Sequence, residues 1–370
     1  MKTWIVLLHS NLVLPVHASN HSPDSEKKTP LQVESIAQFD GIPWGLVLLD
    51  NQTAIVAIKN GAAYRVNLAT GMTTRLTGLP KVDNRGQGGL LDVAVPPIDN
   101  TQNWLYFTYS KPTNEGATTA LGRAKLDNNH LSDWQDLLVT NAVVTGTKHY
   151  GSLITFDNKG HVFFSIGDRG ERDLAQDLSN HAGSIVRLHL DGRVPSDNPF
   201  VSDANSRNEI WSYGHRNPQG IYYDAKTDTL WSNEHGPRGG DEINLIRSGG
   251  NYGWPIFSYG KEYWRPSIGD GTEKEGMEHP EVVFTPSIAP GSLLRYKSSN
   301  ASDWNGDFIS PALALRHLNR VSINQDGEYT ETRYLEDLNE RLRSIAQDDT
   351  GALYIGTDSG KLLKVTLNGS

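Results

Sequence analysis

Cysteine is absent from all 370 residues. Disulfides, thiolate metal sites, a catalytic thiol and a lipid anchor on an N-terminal cysteine are therefore excluded. Basic charge is scarce: 34 Lys and Arg stand against 43 Asp and Glu, a formal net charge of -9 with no basic block. A chain that tracks nucleic-acid phosphates needs the opposite balance. Long apolar runs are scarce too. In "MKTWIVLLHSNLVLPVHAS", Lys2 leads an apolar stretch from Trp4 to Val16, interrupted by His9, Ser10 and Asn11. It falls short of the roughly 20 residues of a membrane anchor. It ends at Val16-His17-Ala18, close to a small-x-small cleavage site, so residues 1–18 read as an export signal. The polar "SNHSPDSEKKTP" opens a flexible mature N-terminus over residues 19–33. No later segment is apolar enough to span a membrane, and an exported chain without cysteine fits the bacterial periplasm.

Glycine and proline are plentiful, at 36 and 18 residues, as many short strands joined by turns require. One pattern recurs: an apolar strand, a turn with Asp, Asn or Gly, then an aromatic or branched strand. Copies begin at Gly45, Gly89, Ser152, Gly220 and Ser344, with a looser one, "DWNGDFISPALALRHLNRVSIN", at Asp303. Spacings of roughly 40–80 residues bracket the period of propeller blades. The expected fold is all-β, a six-bladed β-propeller over residues 34–370. A β-sandwich would explain the strands but not their recurrence. Only "YLEDLNERLRSI" carries helical spacing.

In a propeller the loops of every blade converge on one mouth of the channel, so chemistry is sought in loops. His149 precedes a strand in "GTKHYGSLITF", Asp168 ends its partner in "FFSIGDRGERD", and the turn "FDNKG" lies between. A hairpin brings the two together. A carboxylate on one imidazole nitrogen makes the other a base; the alternative is a pair that merely ties a loop, as is common in β-proteins. "YGHRNPQG" puts His215, Arg216 and Asn217 at a turn. Arg341 and Arg343, two apart, share a face if they enter a strand. They then suit a polyanionic small molecule, or else they are a solvated helix pair. Gln87, before a strand, offers a neutral donor and acceptor. "EHGPRGGDEINLIRSGGNYGWP", from Glu234 to Pro255, is rich in oxygen: the Gly236 and Pro237 carbonyls, Asp241, Glu242 and a glycine turn. Irregular hard-oxygen donors suit Ca²⁺; a plain long loop is the other reading.

Seven stretches, in order, resemble the soluble PQQ-dependent aldose sugar dehydrogenases of the glucose/sorbosone dehydrogenase family. They are "GQGGLLDVA", "KHYGSLITFDNKG", "SIGDRG", "SYGHRNPQG", "NEHGPRGGDEINLIRSGGNYGWP", "PSIAPGSLLRY" and "RLRSIAQDDTGALYIGTDSGKLLKV". The resemblance implies a six-bladed propeller with His149 as general base and Asp168 orienting it. It implies cofactor or substrate contacts at Gln87, Arg216, Asn217 and Tyr263, the stretch Ala312-Leu313-Ala314-Leu315, and Arg341-Leu342-Arg343. Calcium would be held at the Gly236 and Pro237 carbonyls, and as a separate ion at Glu242 and Tyr252. Where the family often places a cofactor-binding lysine this chain has Ala314 and Leu315, so that either Arg316 or His317 takes over the cationic role or backbone contacts suffice. Lys148 precedes the base where the glucose dehydrogenases carry an acid.

The implied activity is oxidation of an aldose to a lactone, with an unnamed external electron acceptor and a monomer or homodimer as the working form. A calcium-dependent sugar-lactone hydrolase and a non-catalytic carbohydrate- or protein-binding propeller are the alternatives.

Overall fold

The computed structural model describes residues 28–97, 102–262, 268–269, 271–298 and 302–367. The expected export signal and Tyr263 lie outside them. Six four-stranded antiparallel sheets form the blades of a β-propeller. The innermost strands are Pro43–Leu48, Leu90–Ala94, Ile154–Phe156, Pro218–Asp224, Leu294–Arg295 and Leu342–Gln347 for blades 1 to 6. Blade 6 is completed by Leu31–Gln38, which pairs with Lys361–Leu367 from the other end of the chain and closes the ring. The ring therefore takes in three residues ahead of position 34. Among the described residues no helix is long and apolar enough to cross a membrane.

The core lies between blades, which is why inner and second strands are apolar on both faces. In Thr53–Ile58, Ala54, Val56 and Ile58 pack with Tyr354 and Leu362 of blade 6. Ile55 and Ala57 point the other way, against Leu90, Val93 and Phe107 of blade 2. Each fully buried branched or aromatic side chain contributes about 1.5–3 kcal/mol. Asp92, in the inner strand of blade 2, ties that blade to the next by accepting from the Ile154 N–H at 2.8 Å; burial pushes its carboxyl up to about 7.

The expected helix in "YLEDLNERLRSI" is corrected to a single 3₁₀ turn, Glu336–Leu338, followed by the inner strand of blade 6. Leu335 and Asn339 flank the turn with left-handed φ of 62° and 50°, and no α-helix continues through such residues. The passage Glu234–Pro255 is also less loop-like than its glycines imply. Glu234 ends one strand, and Asp241–Ile246 forms the next.

Candidate active site

Gln87, His149, Arg216 and Arg341 each stand just ahead of an inner strand, in blades 2, 3, 4 and 6. Inner strands run in one sense, so these four residues meet at one mouth of the channel. The turns between second and third strands reach the same mouth. They bring the 235–240 loop of blade 4 and the Leu313–Arg316 turn of blade 5.

His149 Nδ1 lies 2.6 Å from Asp168 Oδ1, and both residues are buried. The hairpin expected from sequence therefore brings them together. Gly167 makes the approach possible: a Cβ there would stand 2.3 Å from the His149 carbonyl oxygen. The Gln87 amide oxygen accepts from the His149 N–H at 2.7 Å, and the Gln87 N–H donates to the Thr147 carbonyl. Burial draws the His149 imidazole below its ordinary value; Asp168 works the other way, and Arg216 and Lys148 add to the lowering. Asn217, buried, accepts from the Gly151 N–H at 3.3 Å.

Arg341 and Arg343 also converge. Both guanidiniums grip Asp358, Arg341 Nε and Arg343 Nε each at 2.7 Å. Arg343 is buried, its guanidinium carbon 3.8 Å from the Trp44 ring centroid. Arg341 Nη1 also donates to the Leu313 carbonyl at 3.1 Å, tying the Ala312–Leu315 turn to the same mouth. Leu342 between them is buried in the blade. Two cations share one carboxylate, and Lys59 adds a third: burial and Arg343 lower its ammonium, which donates to the Asn84 carbonyl at 2.8 Å. Neither proposed substitute for the family lysine is a free cation over the site. Arg316 reaches the Asn339 side chain at 2.7 Å, and His317 is fully buried, where desolvation favours the neutral ring.

In blade 4, Glu234 and Glu242 are cross-strand partners. Like charges at facing positions repel. Burial, then Glu234, raises the Glu242 carboxyl well above the usual carboxylate range. The two line a cavity of about 20 Å³ together with Gly236, Gly240 and Tyr252. Glu234 also accepts from His215 Nδ1 at 3.0 Å and from the Arg216 N–H at 2.7 Å, so it shapes the Arg216–Asn217 turn. Asp241 staples the loop by accepting from the Gly236 and Ala289 N–H groups. The Gly236 carbonyl already accepts from Arg216 Nη1 at 3.0 Å, which leaves it one lone pair. The Tyr252 hydroxyl donates to the Leu245 carbonyl and accepts from the Arg247 N–H, so its backbone carbonyl is what it can offer a metal. Pro237 is buried in the same loop.

Sequence reading missed Asp358, Trp44, Lys59 and Trp254 as parts of this mouth. Asp358 lies inside the strand-turn-strand stretch "GTDSGKLLKV", where an Asp close to a Gly is ordinary turn chemistry and marks no site. Lys59 is an ordinary turn lysine, and nothing local marks it.

The glucose/sorbosone dehydrogenase profile matches residues 40–364. Aldose sugar dehydrogenase YliI of Escherichia coli K12 is 36% identical over 332 residues, covering 88% of this chain and 90% of the relative. Quinoprotein glucose dehydrogenase B of Acinetobacter calcoaceticus is 30% identical, covering 84% and 81%. Among solved structures, the apo soluble aldose sugar dehydrogenase of E. coli superposes with a TM-score of 0.88 at 35% identity, covering 92% of this chain and 100% of that one. The PQQ-bound aldose sugar dehydrogenase of Streptomyces coelicolor gives 0.75 at 25%, covering 93% and 99%.

Proposed function

The chain belongs to the glucose/sorbosone dehydrogenase family, and on that premise we propose that it oxidises aldose sugars at the anomeric carbon to lactones, using PQQ and Ca²⁺. The observation that carries the reading is the buried His149–Asp168 pair at the mouth where Arg341 and Arg343 share one carboxylate. The names of the relatives, an aldose sugar dehydrogenase and a PQQ-bound one, support the same reading.

PQQ, when bound, supplies the two-electron acceptor, and calcium beside it supplies Lewis-acid polarisation. The donor set fits both. Guanidiniums that outnumber their carboxylate match a polycarboxylate, and Arg216, Arg341 and Arg343, with Gln87, Asn217 and the Ala312–Leu315 turn, would hold it. Tyr263 belongs to the same proposal. Gly236 and Pro237 would offer carbonyls to the calcium beside the cofactor. The small cavity between Glu234 and Glu242 is sized for one ion, whose charge would relieve their repulsion; Glu242 and Tyr252 would hold that second calcium.

In this reading Asp168 accepts from His149 Nδ1, so Nε2 carries the lone pair that takes the anomeric hydroxyl proton. Gln87 holds the backbone of the base and can present its amide to the bound sugar or cofactor. Burial of the pair keeps water from competing for the proton. We further read residues 1–18 as directing export to the periplasm.

The deciding experiment adds PQQ and Ca²⁺ to purified protein and follows aldose-dependent dye reduction. Turnover that needs PQQ is expected. Consumption of sugar lactone without dye reduction would replace this reading by the hydrolase, and saccharide binding without any turnover would replace it by a binding module.

A further inference from the structure

We propose that Trp254 is a positioning residue for the base, fixing Asp168 through its indole N–H and thereby the imidazole tautomer of His149. The inference rests on the reading of His149 as the base. Asp168 Oδ1 is occupied by His149 Nδ1 at 2.6 Å and the Gly170 N–H at 2.7 Å. Held by one oxygen, a carboxyl group can turn about its terminal torsion, which is broad. Trp254 Nε1 donates to the other oxygen at 2.8 Å and removes that freedom. An indole N–H is a donor only, so Oδ2 must be an acceptor there, and a backbone N–H likewise makes Oδ1 an acceptor. With both oxygens accepting, the proton between Asp168 and His149 belongs on Nδ1. Nε2 is then left bare, as a base requires.

Trp254 is itself fixed from outside the dyad. It lies on the segment between the third and fourth strands of blade 4, which climbs beside the last strand of blade 3. Its backbone N–H donates to the Gly214 carbonyl at 2.8 Å, and its carbonyl accepts from Gln176 Nε2 at 2.7 Å. Its ring is flanked by the Arg216 and Arg172 guanidiniums, at 5.3 and 5.4 Å from the centroid. Arg172 in turn holds Glu262 at 2.5 Å, further along the same segment. The setting of the base is thus tied to that segment through one side chain. The plainer role is packing, since Trp254 also clusters with Ala175 and Ile268. Trp254→Phe keeps an aromatic ring in the cluster and deletes the N–H, and the His149 titration reads the loss of the N–H rather than the smaller ring.

Among the described residues, the charged and titratable groups around the pair are Lys148, Arg169, Arg172, Arg216 and His235, and the substitution replaces none of them. The test follows the His149 imidazole by NMR in cofactor-free protein across pH, and then the rate with PQQ and Ca²⁺. In Trp254→Phe the His149 midpoint is expected to rise, because an Asp168 with one donor fewer holds the imidazolium more strongly. Turnover should fall roughly 10- to 100-fold, as when outer partners of an oriented imidazole are removed, with KM for the aldose unchanged. An unchanged His149 titration overturns the proposal. If the variant does not fold, the wild-type Trp254 indole N–H resonance decides: it should shift with the His149 midpoint, and a flat resonance there also overturns the proposal. Wild type that never turns over with PQQ would remove the dehydrogenase reading, a result these NMR arms tell apart from failure of the Trp254 link.

Discussion

His149 is held in a costly state. Its φ of 56° lies in the left-handed region, and Ser152 follows at 91°. Such a backbone costs on the order of 1–3 kcal/mol and persists only where its surroundings enforce it. Here the Gln87 side chain, the Gly167 approach and Asp168 do so. The direction of the imidazole shift gives a sign for activity. Burial, the largest influence, favours the neutral ring, and Arg216 and Lys148 act the same way against Asp168. A base works unprotonated, so kcat/KM should rise with pH and level off, its midpoint below the ordinary imidazole value of about 6.5. A pH–rate profile still climbing above that value would contradict this. Replacing His149 by Ala should lower kcat roughly 10²- to 10⁴-fold, the usual weight of a general base, while a PQQ titration shows cofactor affinity retained. Near wild-type turnover would dismiss His149 from the role.

At the scale of strands and turns, pairing explains what sequence could and could not reveal. The His149–Asp168 hairpin was readable because both partners flank one short turn. The Arg341–Arg343 pair was readable only conditionally, since helical spacing competed with a strand until left-handed Leu335 and Asn339 decided it. Asp358, which binds both arginines, sits one turn further on and carries no local mark. Substituting Arg343 by Ala should weaken PQQ binding more than substituting Arg341, because Arg343 is buried over Trp44 and Arg341 is half exposed. Unchanged affinity in both, by titration, would make the pair structural. The facing Glu234 and Glu242 make a second prediction. A cation that binds only the folded chain adds about 2.7 kcal/mol of stability at a hundredfold excess over its dissociation constant. Melting temperature should therefore rise with Ca²⁺, Mg²⁺ should substitute poorly, and Glu242→Gln should shrink the shift. Melting curves with chelator, Ca²⁺ and Mg²⁺, with and without PQQ, check it. Indifference to calcium throughout would remove the ion from the reading.

At the scale of the whole ring, recurrence in the chain made the architecture visible, but the blades were not equally visible. Blade 5 begins on a two-residue inner strand, Leu294–Arg295, too short to show a pattern, so the copy seen at Asp303 starts one strand late. Blade 6 is assembled from both ends of the chain, and no linear repeat displays that. Its closure depends on noncovalent pairing, because the chain has no cysteine to lock it. Leu31–Gln38 pairs with Lys361–Leu367 from Leu31↔Leu367 to Gln38↔Lys361, and Leu31 and Val33 pack on the blade 6 core. Removing that strand would leave Lys361–Leu367 as an open edge, which is a template for aggregation. It would also loosen the blade that carries Arg343 and Asp358. A chain starting at Leu31 should therefore melt like one starting at residue 19. A chain starting at Phe39 should melt lower, aggregate on heating and bind PQQ more weakly. Paired melting curves and light scattering on the truncations test this. Equal melting of the Leu31 and Phe39 chains would mean that the ring is held by contacts between neighbouring blades alone, and that the closing strand is dispensable.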